Sequence, residues 1–298
     1  MSSAEVPGDI CVHEDETLFR EAVNFTAAET RFSPRLIEKD YFCTILLDYL
    51  TRADAQLVFK GGTCLAKVHA DFYRLSEDLD FVIPIPVVSS RSERRNLSTG
   101  IKKAVTEISD RLTPFRFIKP MAGANNSTQY VAVVAYVSRI SSQEETIKIE
   151  VGLREPLLTK AVAGKARTIL LNPVSGEPMT PVFPMPCISW SEAMAEKLRA
   201  ALSRREAAIR DFFDIDYAAR KLDFHPLEGK MTDLVRQKLA VPGNEPVDVS
   251  RERLAQLRQQ LDARLRPVLR ARDFAEFDLE RAFNVVVSVA NAIANFTR

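Results

Sequence analysis

The residues whose types and spacing could do chemistry sit in one block: Phe59-Lys60-Gly61-Gly62-Thr63, then fourteen residues (64 to 77), then Asp78-Leu79-Asp80. Glycines that close an apolar run let the backbone approach a phosphate, and the N–H groups of a helix that follows point at the anion. Asp78 and Asp80, one residue apart on a strand, project from the same face, as two hard cations bridging phosphate oxygens require. Together the halves read as a triphosphate cradle beside a metal centre. Singly, Gly-Gly also fits a plain turn and Asp-x-Asp a solvated strand face.

A third carboxylate is available in Ile147-Lys148-Ile149-Glu150-Val151. Its apolar residues should face a core, leaving Lys148 and Glu150 on the opposite face beside the metals; an exposed cross-strand charge pair fits the segment too. Farther along, Lys197 is a point cation suited to a phosphate, and Asp211 and Asp214, three apart, lie on one side of a helix. A surface helix laced with ion pairs gives the same pattern.

The elements that must position these groups alternate at first. Ser33-Pro34 opens a helix with apolar residues recurring to Leu50, and Leu57-Val58-Phe59 is a strand leading through Gly61-Gly62 into a helix from Thr63 to about Ala70. Ser76 to Ile83 alternates as a strand ended by Pro84, and a polar helix spans about Ser92 to Arg111. Phe115–Ile118, Tyr130–Val137 and Thr146–Val151 are β-type runs, the last two forming a hairpin. From Ser189-Trp190-Ser191-Glu192, a capping box, helical periodicity runs to the end, broken at His225-Pro226, Pro242-Gly243 and Ala271–Phe274; Phe283 to Phe296 reads as a buried helix. Pro173, Pro178, Pro181, Pro184 and Pro186 crowd the stretch before it and suit a connection between lobes. The expectation is an α/β (α+β) chain, with a mixed sheet lobe over residues 1–185 and a helical bundle lobe over 186–298.

With 298 residues, 46% hydrophobic and 27% charged, the chain is long enough for a sizeable core and is neither fibrous nor disordered. Forty-one basic against forty acidic residues leave +1, so no overall field draws it to nucleic acid or lipid. Cys11, Cys43, Cys64 and Cys187 are far apart and joined by only three histidines, which argues against zinc and a disulfide framework, and Cys11, His13, His69 and His225 offer no constellation. An acidic N-terminal stretch, where a signal peptide is basic, and the absence of a long apolar run point to a cytoplasmic protein without a membrane span.

Phe59-Lys60-Gly61-Gly62-Thr63-Cys64-Leu65-Ala66-Lys67 followed by Arg74-Leu75-Ser76-Glu77-Asp78-Leu79-Asp80-Phe81 resembles the signature of the AbiEii/AbiGii abortive-infection toxins, nucleotidyltransferases of the polymerase-β-like superfamily. Glu38-Lys39-Asp40-Tyr41, Lys148-Ile149-Glu150, Glu196-Lys197 and Arg210-Asp211-Phe212-Phe213-Asp214 extend the match. The departures are Cys64 in place of the usual Ala or Ser, and a stretch before Arg210 that makes Asp211 and Asp214 rivals for one role. The resemblance implies a nucleotidyltransferase lobe and a helical lobe holding a nucleoside triphosphate with Mg2+, two ions, in the cleft between them. It puts Gly61, Gly62 and Thr63 on the β- and γ-phosphates, with Lys60 and Lys148 among the nucleotide-binding residues. Asp78, Asp80 and Glu150 become the metal set, with Glu150 also the base; Lys197 contacts the triphosphate and Asp211 positions it.

The implied reaction is attack of a hydroxyl on the α-phosphorus with release of pyrophosphate, the acceptor being the 3′ end of tRNA, which blocks aminoacylation and growth. An antitoxin partner is implied as well, and Ser76 matches a hydroxyl that some antitoxins phosphorylate. The same site chemistry would also suit a small-molecule or protein acceptor, and a non-catalytic nucleotide-binding protein is the third reading. Seven arginines between 251 and 272, against Glu252 and Asp262, with a stripe of Leu254, Leu257, Leu261, Leu265 and Leu269 beneath, form one candidate RNA face. Arg91, Arg94, Arg95, Lys102 and Lys103 form a second.

Overall fold

The computed structural model describes residues 11–295, so the N-terminal segment up to residue 10 and Phe296 lie outside the described residues. α1 (Glu16–Thr30) and α2 (Pro34–Ala53) pack behind the sheet. Ser33 caps α2 by accepting the Leu36 N–H, and Pro34 sits in the first turn, where a missing donor is harmless. β1 (Val58–Lys60) runs into α3 (Gly61–Cys64), which continues as a π-turn, Leu65–His69. β2 (Leu79–Val82) is shorter than the alternation from Ser76 suggests, with Asp78 just ahead of it.

The single polar helix expected near Ser92–Arg111 is three: α4 (Arg91–Leu97), α5 (Thr99–Thr106) and α6 (Ile108–Arg111). The first break falls at Ser98, whose hydroxyl donates to the Arg95 carbonyl, and just before Gly100, which packs tightly on Asp54. The β3 (Arg116–Ala124), β4 (Gln129–Val137) and β5 (Glu144–Gly152) meander follows, and it includes the expected hairpin. β6 (Val162–Ala166) and β7 (Phe183–Cys187) complete a seven-stranded mixed sheet of order β3-β4-β5-β2-β1-β7-β6.

β7 corrects the proline-rich connection, and the boundary expected after residue 185 falls inside it. Pro184 and Pro186 have the parity of Ile188, whose N–H donates to Phe59, so their donor-less nitrogens face short β1 while the residues between them serve β6. α7 (Trp190–Ser203), α8 (Ile209–Lys221), α9 (Gly229–Ala240), α10 (Arg251–Arg258), α11 (Ala271–Glu276) and α12 (Leu279–Asn295) build the helical side. The break expected at Ala271–Phe274 is therefore helix. α12 is amphipathic rather than buried, with Ala282, Phe283, Val286 and Val289 inward and Asn284, Ser288 and Asn291 exposed.

The sheet faces two cores. Phe59, Phe81, Ile149 and Cys187 pack with α1 and α2, whereas Val58, Val82 and Ile188 pack with the helices. Side chains alternate along a strand, so Lys60, Asp80 and Glu150, at the other parity from Phe59, Phe81 and Ile149, are delivered to the helical side.

Candidate active site

The pairing of β2 with β5 is parallel and sets Asp80 beside Glu150, while antiparallel β1 sets Lys60 on the other flank of Asp80. Asp78 joins from the approach to β2: its carboxylate accepts the Lys148 N–H at 3.4 Å. The Lys148 ammonium reaches Glu150 Oε2 at 3.2 Å and Asp78 Oδ2 at 4.0 Å. Burial pushes the Asp80 carboxyl up, and Glu150 adds to it, to about 6. Burial alone would lower Lys148, but Glu150, Asp78 and Asp80 outweigh it and raise the ammonium above the ordinary lysine range. The carboxylates expected from sequence thus converge.

Gly61 turns the chain at φ +75, and a Cβ there would overlap the Asp80 carboxylate. At Gly62 a side chain would strike the Arg74 guanidinium and come within 3.1 Å of Ser76 Oγ. Only glycine lets this turn lie against both. Thr63 is placed differently from its implied part: its side chain is buried, and its hydroxyl donates to the Asp78 carbonyl at 2.5 Å, anchoring the approach to β2 instead of facing the cleft.

α7 and α8 supply the opposite wall. Lys197 lies between Asp211 and Asp214, 2.8 Å from each, so the two aspartates are joint partners of one ammonium rather than rivals. Asp211 also pairs with Arg204, and buried Asp214 accepts from Tyr73 and from Arg74 at 2.8 Å. Burial would raise Asp214, but Arg74 and Lys197 hold it far below the usual carboxylate range. Lys60 is engaged by Glu196 at 2.7 Å, and Glu196 also meets Lys238. Ser189 caps α7, yet Glu192 does not complete a capping box: its carboxylate receives Leu158 and Thr159 and pairs with Lys238.

The three carboxylates, the two glycines, Lys197 and Asp211 line one cleft of about 300 Å³, together with Ser76, Arg199, Arg204 and Arg210. A groove of about 680 Å³ opens elsewhere, between α2 and α5, where Asp48 pairs with Arg52 and Glu107 with Lys103 and Arg111. Arg74 is the site residue that sequence patterning does not reveal; it stands within the signature, but only the fold shows that it spans from the glycine turn to Asp214. Asp40, in the supporting motif, acts from behind, gripping the buried Lys67 ammonium at 2.6 Å and so tying α2 to the π-turn.

Neither surface read as an RNA face is continuous. Arg253 is buried against the Arg204 carbonyl, and Arg258, Arg266 and Arg270 pair with Glu280, Asp262 and Asp273. Arg94 is likewise buried, donating to Leu153 and Val87. Away from the cleft, Cys64, His69 and Cys187 gather with ligand atoms within 4.8 Å of one another, so the fold gives His69 a constellation and joins two cysteines that are far apart in sequence. No helix among the described residues is long and apolar enough to cross a membrane.

The profile of the family described as "Nucleotidyl transferase AbiEii toxin, Type IV TA system" matches residues 45–285. Among solved structures, JHP933 from Helicobacter pylori is similar at 18% identity and TM-score 0.48, over 88% of this chain and 93% of that one. A protein described as a candidate nucleotidyltransferase from H. pylori is similar at 17% and 0.46, over 83% and 91%. The STING-associated CdnE c-di-GMP synthase from Capnocytophaga granulosa is similar at 11% and 0.26, over 88% and 82%. No curated protein matches the chain.

Proposed function

Because the chain belongs to the AbiEii nucleotidyl transferase toxin family, we propose that it moves a nucleotide from a nucleoside triphosphate to the 3′ acceptor end of tRNA, as the Mg2+-dependent toxin of a toxin–antitoxin pair in the cytoplasm. The observation that carries this reading is the register of Asp80 with Glu150, with Asp78 beside them, across a glycine turn that no side chain obstructs. An all-carboxylate donor set, already drawing in the Lys148 ammonium and holding Asp80 near 6, suits hard divalent cations. Asp78, Asp80 and Glu150 would hold two Mg2+ ions, which when bound supply charge neutralisation at phosphate oxygens.

The chain's own groups do the rest. The backbone around Gly61 and Gly62 lies open to the β- and γ-phosphates, and Lys197, fixed by Asp211 and Asp214, offers a positioned cation from the facing wall. Glu150 takes the proton from the attacking hydroxyl. The new bond forms from that oxygen to the α-phosphorus, and the bond from the α-phosphorus to the bridging oxygen breaks, releasing pyrophosphate. Positioning and charge carry such transfers. Arg210 at the cleft, with Arg204 held beside it by Asp211, favours a polyanionic acceptor over a neutral small molecule or a protein hydroxyl.

The test is incubation with total tRNA and each labelled triphosphate in turn, with Mg2+. Label is expected at tRNA 3′ ends, and transfer without Mg2+ is expected to fail. Label appearing on protein or on a small molecule would replace the acceptor, and no transfer from any triphosphate would overturn the proposal.

A further inference from the structure

The geometry points to a second, separate metal site: Cys64, His69 and Cys187 bind one thiophilic divalent cation of the zinc class behind the glycine turn. Their ligand atoms lie within 4.8 Å of one another. They come from three places, the end of α3, the end of the π-turn and the end of β7.

The π-turn explains how Cys64 and His69 meet. Five residues apart on an α-helix, two side chains point about 140° from each other. Here the Ala70 N–H bonds back five residues to Leu65, and the widened turn swings His69 toward Cys64. Such turns recur at functional positions. Cys187 arrives from the neighbouring strand, since β7 pairs with β1 at Phe59 and Cys187.

The surroundings suit ligation. His69 Nε2 lies 2.9 Å from the Ile188 carbonyl; donation there orients the ring and leaves Nδ1 without a proton, as a metal-bound imidazole requires. Gly164 backs the Cys187 sulfur so closely that a Cβ would stand 2.7 Å from Sγ, so the backbone itself forms that wall. Both cysteines are fully buried, whereas His69 is partly exposed, giving one way in for the ion. Two sulfurs and one imidazole select a soft or borderline cation over Mg2+. A non-protein ligand fills the fourth position. None of the three residues lines the cleft of Asp80 and Glu150, so this site stands whether or not the transfer proposal does.

The experiment is a Co2+ titration of reduced, chelator-treated full-length protein. One sulfur-bound cobalt per chain is expected, read from visible bands of tetrahedral strength and a sulfur-to-cobalt absorption in the near ultraviolet that saturate at one equivalent and are displaced by Zn2+. Cys64→Ser and Cys187→Ser should each abolish the sulfur absorption. His69→Gln, at a partly exposed position that spares the core, should weaken cobalt binding at least tenfold, whereas Asp80→Asn should leave the spectrum unchanged. Absence of sulfur-to-cobalt absorption overturns the site, as does its survival in Cys64→Ser.

Discussion

Asp80→Asn should make the protein more stable while destroying its activity, and the size of the gain follows from where the carboxylate sits. Burial and the adjacent Glu150 raise the Asp80 carboxyl from its ordinary 3.8 to about 6. A carboxyl that holds its proton more tightly when folded stabilises the native state fully below the unfolded value, and this contribution is lost as pH rises through about 6. A shift of that size corresponds to roughly 3 kcal/mol. Asp80 remains partly exposed and faces Lys148, so screening reduces the expectation to about 1–2 kcal/mol.

Asparagine cannot ionise and resembles the protonated acid. Urea unfolding in chelator should therefore give equal stabilities for the two proteins near pH 4, with the variant ahead by about 1–2 kcal/mol at pH 8. Added Mg2+ should stabilise the wild type by mass action and the variant far less, closing or reversing the gap. Mg2+ affinity of the wild type should fall as pH drops through about 6, where protons compete for Asp80. Nucleotide transfer by the variant should be lost at every pH. Equal stability of the two proteins at pH 8 without metal would refute the account of a strained carboxylate pair.

Two other substitutions probe the facing wall and the control of the site. Asp214→Asn removes the charge that both Arg74 and Lys197 pair with in a buried setting, so thermal or denaturant unfolding should show a loss of about 3–5 kcal/mol; a loss under about 1 kcal/mol would show that Asp211 alone suffices. Ser76→Asp places negative charge in the cleft against the Gly62 turn, and as a mimic of phosphorylation it should cut transfer at least tenfold with unchanged far-ultraviolet circular dichroism. Wild-type turnover in that variant would leave Ser76 no regulatory part.

The central strands and their carboxylates were legible because strand alternation is local. Asp78, Asp80 and Glu150 each carry their facing in the residues beside them, and the hairpin of β4 and β5 follows from two apolar runs and a polar gap. What stayed hidden was set by partners distant in the chain. β7 is rich in proline, which reads as a connection until β1 and β6 show which edge each nitrogen faces. Two arginines counted in an open face are taken up by other elements, Arg253 by the Arg204 carbonyl and Arg258 by Glu280. Thr63 was given to the phosphates by its place in a motif, and only tertiary packing turns its hydroxyl to Asp78. The meeting of Cys64 with Cys187 likewise required the pairing of β1 with β7.

That β7 lies within the sheet, and leads through Ser189 straight into the helix bearing Glu196 and Lys197, has a mechanical result. The strand beside β1 thus ties the sheet to the helical wall, and the two are clamped again by Lys60 to Glu196 and by Arg74 to Asp214. Prising the wall from the floor would mean breaking both of those ion pairs, one of them fully buried, so the cavity is braced at two points besides the chain itself.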